Sequence, residues 1–208
     1  MKEQRIWLKD LITGKTSLGV CQKDGEVTLT TEDISIESTR AWSHVSIEMY
    51  LRSSYEPDAE YVDGEIEERP PASLEHASWQ AAILHRFFQQ DEDWNVSALP
   101  ALRIRVSPTR FRVPDVAILD SSAPVEQITT YAPIAVFEVL SPEDTVERLK
   151  HKLEDYAAMG IPQIWVVDPE DGSFSRYENK QLLNRERFDE AGRGISFEVN
   201  EIAKLLRR

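Results

Sequence analysis

A glutamate interrupts the most apolar stretch of the chain. Pro133-Ile134-Ala135-Val136-Phe137-Glu138-Val139-Leu140 places apolar residues in both alternating sets, the pattern of a strand buried on both faces. A carboxylate there costs on the order of several kcal/mol unless a metal, a cation or a raised pKa offsets it. A second acid, Asp115, lies in Arg112-Val113-Pro114-Asp115-Val116-Ala117-Ile118-Leu119, and a helical stretch bearing Lys150 and Lys152 follows the Glu138 strand. Two strand carboxylates and an ammonium are the parts of a metal-dependent site that cleaves phosphodiesters. Mg²⁺ is held by one or two carboxylates, waters and substrate phosphate oxygens. It polarises the phosphate and lowers the pKa of a bound water. The ammonium orients that water and stabilises charge on phosphorus.

Each residue also has an ordinary reading. Glu138 could pair with Arg103 or Arg105, and Asp115 could simply follow Pro114 in a bend. Glu60 belongs to an acidic run with Glu56, Asp58, Asp63, Glu65, Glu67 and Glu68, which is usually a solvated face. Lys152 could be a surface lysine with a buried stem. His76 could contact substrate or metal, or serve as a capping or core-edge histidine. Tyr156 is more often packing than chemistry. Arg103, Arg105, Arg110 and Arg112 form the one local basic stretch, where a phosphate backbone could lie or where the acidic run could be neutralised.

The elements that must position these residues follow from periodicity and punctuation. Ser46 to Ser53 reads as a short helix, and residues 60–68 as two strands around a turn at Asp63-Gly64. Leu74 to Gln90 reads as an amphipathic helix with Leu74, Trp79, Ile83, Leu84, Phe87 and Phe88 near one face. Residues 101–106 alternate as a strand with an apolar and a basic face, and residues 107–110 turn. After the Glu138 strand, Ser141 reads as an N-cap with Pro142 at the first helical position and Asp144 as the capping acid. Val146, Leu149, Leu153, Tyr156 and Ala157 make the stripe of that helix, and Gly160 with Pro162 ends it. Strands are expected at 164–167, 173–178, 181–188 and 194–199. Asn200 reads as the cap of a last helix over 201–206. This order gives an α/β (α+β) domain with a mixed central sheet.

The chain has 208 residues and a net charge of -13, ample for one core and marginal for two. Such acidity argues against nonspecific nucleic-acid binding over the whole surface, though not against a local basic groove. The one cysteine, Cys21, permits no internal disulfide. No apolar run approaches a membrane span, so a cytoplasmic protein without a membrane partner is expected. Residues 1–43 stand apart: Ile6-Trp7-Leu8 and Val27-Thr28-Leu29 are their only strand-like pieces. They read as an N-terminal extension, with the domain proper over 44–208.

The ordered set Glu60, Pro114-Asp115, Glu138-Val139-Leu140-Ser141-Pro142, Lys152-x-x-x-Tyr156-x-x-x-Gly160 and Trp165-Val166-Val167-Asp168-Pro169 resembles the Uma-type restriction endonucleases of the PD-(D/E)xK nuclease superfamily. The resemblance covers residues 45–206. It implies a restriction-endonuclease-like core: a mixed sheet flanked by helices, with a Mg²⁺ site (Mn²⁺ as an alternative) at one end. It also implies that Asp115 and Glu138 ligate the ion with the main-chain carbonyl of Val139, and that Glu60 is an auxiliary acid. The lysine expected two residues after the strand carboxylate is Leu140 here. A lysine on the next helix would replace it; Lys150 and Lys152 both flank the stripe, and the Lys-x-x-x-Tyr match favours Lys152. The implied activity is hydrolysis of DNA by metal-activated water, in a homodimer. Cleavage of RNA or of a small phosphodiester is not separable from it. The competing expectation is a degenerate member acting as a nucleic-acid-binding or regulatory module.

Overall fold

A computed structural model describes residues 5–9, 16–21 and 27–30 by their backbone, and residues 44–55, 58–69 and 71–206 in full. The chain divides into two compact units, Met1–Ser43 and His44–Arg208. In the first, β1 (Arg5–Lys9), β2 (Thr16–Cys21) and β3 (Val27–Thr30) form an antiparallel meander. The strand-like pieces at residues 6–8 and 27–29 fall in its outer strands. Residues 31–43 lie outside the described residues.

The second unit is built on a six-stranded sheet. Its strands are β6 (Val96–Pro100), β9 (Val116–Asp120), β10 (Ala135–Val139), β11 (Gln163–Asp168), β12 (Ser173–Glu178) and β13 (Gln181–Asn184). Their order is β13-β12-β11-β10-β9-β6. Only β10 and β11 are parallel, joined through α4 (Val146–Met159), because a parallel pair needs a long crossover. Alternate residues of the central strands go to opposite faces. Val116, Ile118, Ala135, Phe137, Val139, Trp165 and Val167 pack against α2 (Leu74–Phe88). Ala117, Val136, Ile164 and Val166 pack against Leu153 and Tyr156 of α4. The sheet is therefore mixed and covered by a helix on each face, as expected. Phe87 of α2 is fully buried and meets Phe137, Phe188, Phe197 and Trp94 of α3 (Asp91–Trp94) edge-on at 5.6–5.8 Å between centroids.

A four-stranded sheet carries the early acids. Its order is β5 (Glu65–Glu68), β4 (Ala59–Val62), β8 (Arg110–Arg112), β7 (Ile104–Ser107). α1 (Ile47–Arg52) lays Tyr50 on Tyr61 and Phe111. The turn between β4 and β5 uses Asp63 and Gly64 at φ 50° and 105°, as a tight hairpin requires. β14 (Arg187–Glu190), β15 (Ile195–Glu198) and α5 (Asn200–Ala203) close the α2 face with Phe188, Phe197 and Ile202.

Several local expectations are corrected. Leu74 is 87% exposed, not part of the apolar face, because 100° per residue puts it opposite Ile83. Ser141 does not cap α4. Its N–H bonds Asp144 Oδ2 at 2.8 Å in a separate turn, and Thr145 Oγ1 takes the Arg148 N–H at the true N-terminus. Asn200 is the first residue of α5 rather than its cap, and Glu201 bends back to the Glu198 N–H at 3.2 Å. The stretch at 181–188 is two strands, and 112–119 is broken at Val113-Pro114-Asp115, since Pro114 has no N–H for a ladder. The edge strand β6 lies outside every stretch expected to be extended.

Candidate active site

The antiparallel register of β9 and β10 pairs Phe137 with Val116, and one step further it sets Glu138 across from Asp115. Pro114 ends the ladder there, and the freed Val139 N–H donates to Asp115 Oδ2 at 2.7 Å. The acid is thereby pinned to the strand that carries its partner. Glu138 follows Val136 on the α4 face, where the i, i+4 pair Lys152 and Tyr156 meets it. Lys152 Nζ lies 2.8 Å from Glu138 Oε2, and Tyr156 donates its hydroxyl to Oε1 at 2.6 Å. Lys152 also sits 2.9 Å from Glu60 Oε1. Glu60, Glu138 and Lys152 are 0%, 5% and 8% exposed. Glu60 is thus a core acid of β4 and not part of a solvated face.

A second tier holds this group in place. Arg112, 1% exposed, bonds Glu60 at 2.9 Å, Glu67 at 3.0 Å and Asp155 at 2.8 Å. The Val113 N–H donates to Glu60 Oε1 at 2.9 Å. On the other side, Asp115 accepts from Arg69 through Oδ1 and from His76 Nε2 at 3.2 Å through Oδ2. Gln80 of α2 clamps the Asp115 carbonyl at 2.7 Å. Ser73 caps α2 beside His76, whose Nδ1 is buried without a hydrogen-bond partner.

The charges interact strongly. Burial, then the neighbouring charges of Asp115 and Glu60, push Glu138 up to about 7 against the pull of Lys152. Burial raises Glu60 too, but Lys152 and Arg112 outweigh it and hold it below the usual range. Asp115 is likewise lowered: burial is overcome by the His76 hydrogen bond and by the Lys152 and Arg69 charges. The Asp115 hydrogen bond raises His76. Lys152 is raised because Glu138 and Glu60 outweigh its burial.

These groups open on a cleft of about 210 Å³ lined by Asp115, Glu138, Val139, Lys152, Arg69 and His76, among others. The carboxylates retain capacity for an ion. An ionised carboxylate accepts at about four positions; Asp115 uses three and Glu138 two. The donor set suits a hard divalent cation, which takes one or two carboxylates and keeps its waters. Arg69 and Lys152 already stand on those acids, however. No cluster of three or more His, Cys, Asp or Glu arranged around an ion exists among the described residues.

The residues singled out in the sequence divide clearly. Asp115, Glu138, Val139, Lys152 and His76 line the cleft, with Glu60 and Tyr156 behind Lys152 and Glu138. Lys150 points outward, 4.0 Å from Glu154. The basic stretch does not gather at the cleft. Arg112 is consumed by carboxylates, Arg110 pairs with Asp63 and Asp155, and Arg103 pairs with Asp58 and covers the Tyr50 ring. Arg105 is exposed on Phe111 and makes no ion pair among the described residues. Sequence reasoning missed Arg69 and Arg148, both lining the cleft, and Asp155, which orients Arg112. Arg69 had one weak signal: it is the lone base between the acidic run and Pro70-Pro71.

A mixed sheet with a helix on each face, and two carboxylates with a lysine at one end of it, defines a restriction-endonuclease-like fold. The chain belongs to the Uma2 family, described as "putative restriction endonuclease", whose model matches residues 47–199. It is similar to a solved structure described as a "putative nuclease belonging to DUF820 from Anabaena variabilis ATCC 29413", with TM-score 0.67 and 17% identity over 78% of this chain and 99% of that one. At that identity the likeness shows the fold. A DrdV–DNA complex is more distant, at 15% identity and TM-score 0.35, and the match covers 61% of this chain and 11% of that one. No curated protein matches the chain. Among the described residues, no helix is long and apolar enough to cross a membrane.

Proposed function

We propose that this protein is a metal-dependent endonuclease hydrolysing phosphodiester bonds of DNA, with Mg²⁺ or Mn²⁺ held by Asp115, Glu138 and the Val139 carbonyl. The observation that carries the reading is the convergence of Asp115, Glu138 and Lys152 on one cleft. A divalent ion bound there would polarise the phosphate and acidify a coordinated water. The chain's own residues do the rest. Lys152 holds Glu138 in place and supplies positive charge where the pentavalent phosphorus develops negative charge. Glu60 and Arg112 fix the Lys152 ammonium from behind. Tyr156 orients Glu138, and His76 with the Val139 N–H orients Asp115. Cutting both strands calls for two such sites, so a homodimer belongs to the reading, as does a cytoplasmic setting.

Plasmid nicking with Mg²⁺ or Mn²⁺, against EDTA and beside Glu138→Ala and Asp115→Asn, tests it. Single-stranded DNA and RNA run in parallel define the substrate. Metal-dependent nicking by the parent, lost in both variants, is expected; equal activity in the parent and Glu138→Ala ends the catalytic reading. A second reading, a nuclease fold kept as a binding or regulatory module, draws support from Arg69 and Lys152 already neutralising the acids. Metal binding without cleavage of any nucleic acid would favour it.

A further inference from the structure

We propose that Arg69 is the phosphate-binding residue of this cleft, held on Asp115 as a counter-cation until a divalent ion displaces it. The proposal rests on the metal-dependent reading above and names the residue that couples ion to substrate.

Asp115 and Glu138, the two carboxylates that would hold an ion, each already carry a counter-cation, Arg69 on Asp115 and Lys152 on Glu138. A divalent ion seated on Asp115 and Glu138 would bring two further positive charges against those two cations. One resident cation must give way. Arg112 cannot, being walled in by Glu60, Glu67 and Asp155 away from the cleft. Lys152 is bound to two buried carboxylates and also lies 3.4 Å from the Val113 carbonyl. Arg69 is the loosest of the three. It holds a single carboxylate through one nitrogen, Nη2, and its side chain is 19% exposed at the cleft wall.

The same geometry names the ligand. A guanidinium presents its N–H donors in a planar fork that matches two phosphate oxygens. Arg69 spends one nitrogen on Asp115, and no other carboxylate among the described residues engages it. Arg148 adds a second guanidinium to the lining, with only a 3.5 Å contact to Glu67. Displaced by the ion, Arg69 would offer its whole fork to the phosphodiester of a strand lying in the cleft. Ion and phosphate would then each strengthen the other's binding, since coupling between two sites is reciprocal.

Two measurements on the full chain test this. The first is Mn²⁺ affinity by calorimetry without DNA, for the parent, Arg69→Gln and Asp115→Asn. Arg69→Gln should bind Mn²⁺ roughly 5–150-fold more tightly than the parent, the usual range of site–site coupling. Asp115→Asn should lose the binding. The second needs no variant: arginine-directed dicarbonyl labelling of the parent, read by mass spectrometry. Arg69 should be poorly labelled in EDTA, well labelled in Ca²⁺, and protected again when a short DNA duplex is added to the Ca²⁺ form. If the parent binds Mn²⁺ through Asp115 but Arg69→Gln binds no tighter, or if Ca²⁺ leaves Arg69 labelling unchanged, the inference is wrong and the metal reading stands. If neither parent nor Arg69→Gln binds Mn²⁺, both fall.

Discussion

Lys152→Met removes the ammonium that joins Glu60 to Glu138. The two contacts are 2.9 and 2.8 Å long and almost fully buried. At an effective dielectric of 20, each pair interacts by about 6 kcal/mol before desolvation is counted. Desolvation of the lysine offsets much of this, and breaking a buried pair by deleting one partner costs about 3–5 kcal/mol net. The penalty must depend on pH. The folded pKa of Glu138, about 7, lies above its ordinary 4.5, a shift equivalent to about 3 kcal/mol. Such a raised carboxyl contributes its stability fully below its ordinary value and loses it as pH rises through 7. Without Lys152 the pKa climbs further, so the variant is penalised most where Glu138 would have to be ionised. Urea unfolding in EDTA at pH 6 and pH 9 should therefore show a larger loss at pH 9. Lys152→Met with Glu138→Gln should recover about 1–3 kcal/mol of that loss. A loss below about 1 kcal/mol at pH 9, or one that shrinks as pH rises, would refute the view of this cluster as a dehydrated charge network.

Other perturbations separate local from tertiary contributions. Thr145→Ala should cost about 1 kcal/mol by thermal unfolding, and Ser141→Ala much less, because only Thr145 caps α4. Asp120, lowered to about 2 by Ser122 and then Arg193, contributes stability above its ordinary 3.8 that is lost as pH falls through about 2. Asp120→Asn should thus destabilise by about 1 kcal/mol at neutral pH after discounting for solvent, and by nothing measurable near pH 2. Phe87→Ala should cost about 3–5 kcal/mol, since four aromatic rings lose their common neighbour.

What the sequence determined by itself was whatever contiguous residues encode. The apolar run around Glu138 specified a strand buried on both faces, and β10 is buried at every position. Helical periodicity located α2 and α4, and Gly160 at φ 88° ended α4 where its lack of a Cβ suggested. The same spacing set Lys152 and Tyr156 one turn apart, ready to meet one carboxylate. Tertiary structure alone decided which charge answers which. Arg69 and Asp115 are 46 residues apart, and Arg112 meets Glu60 across 52. Neither separation carries any periodic signal. These partners follow from sheet order and register, which place β4 beside β8 and Asp115 opposite Glu138. A buried charge is stabilised by whichever counter-charge the packing delivers, and packing is a property of strands brought together from distant parts of the chain. For that reason Arg103, Arg110 and Arg112 serve as counter-ions to the acidic run, one of the two roles open to that basic stretch, and an arginine with little in the sequence to mark it came to stand at the cleft.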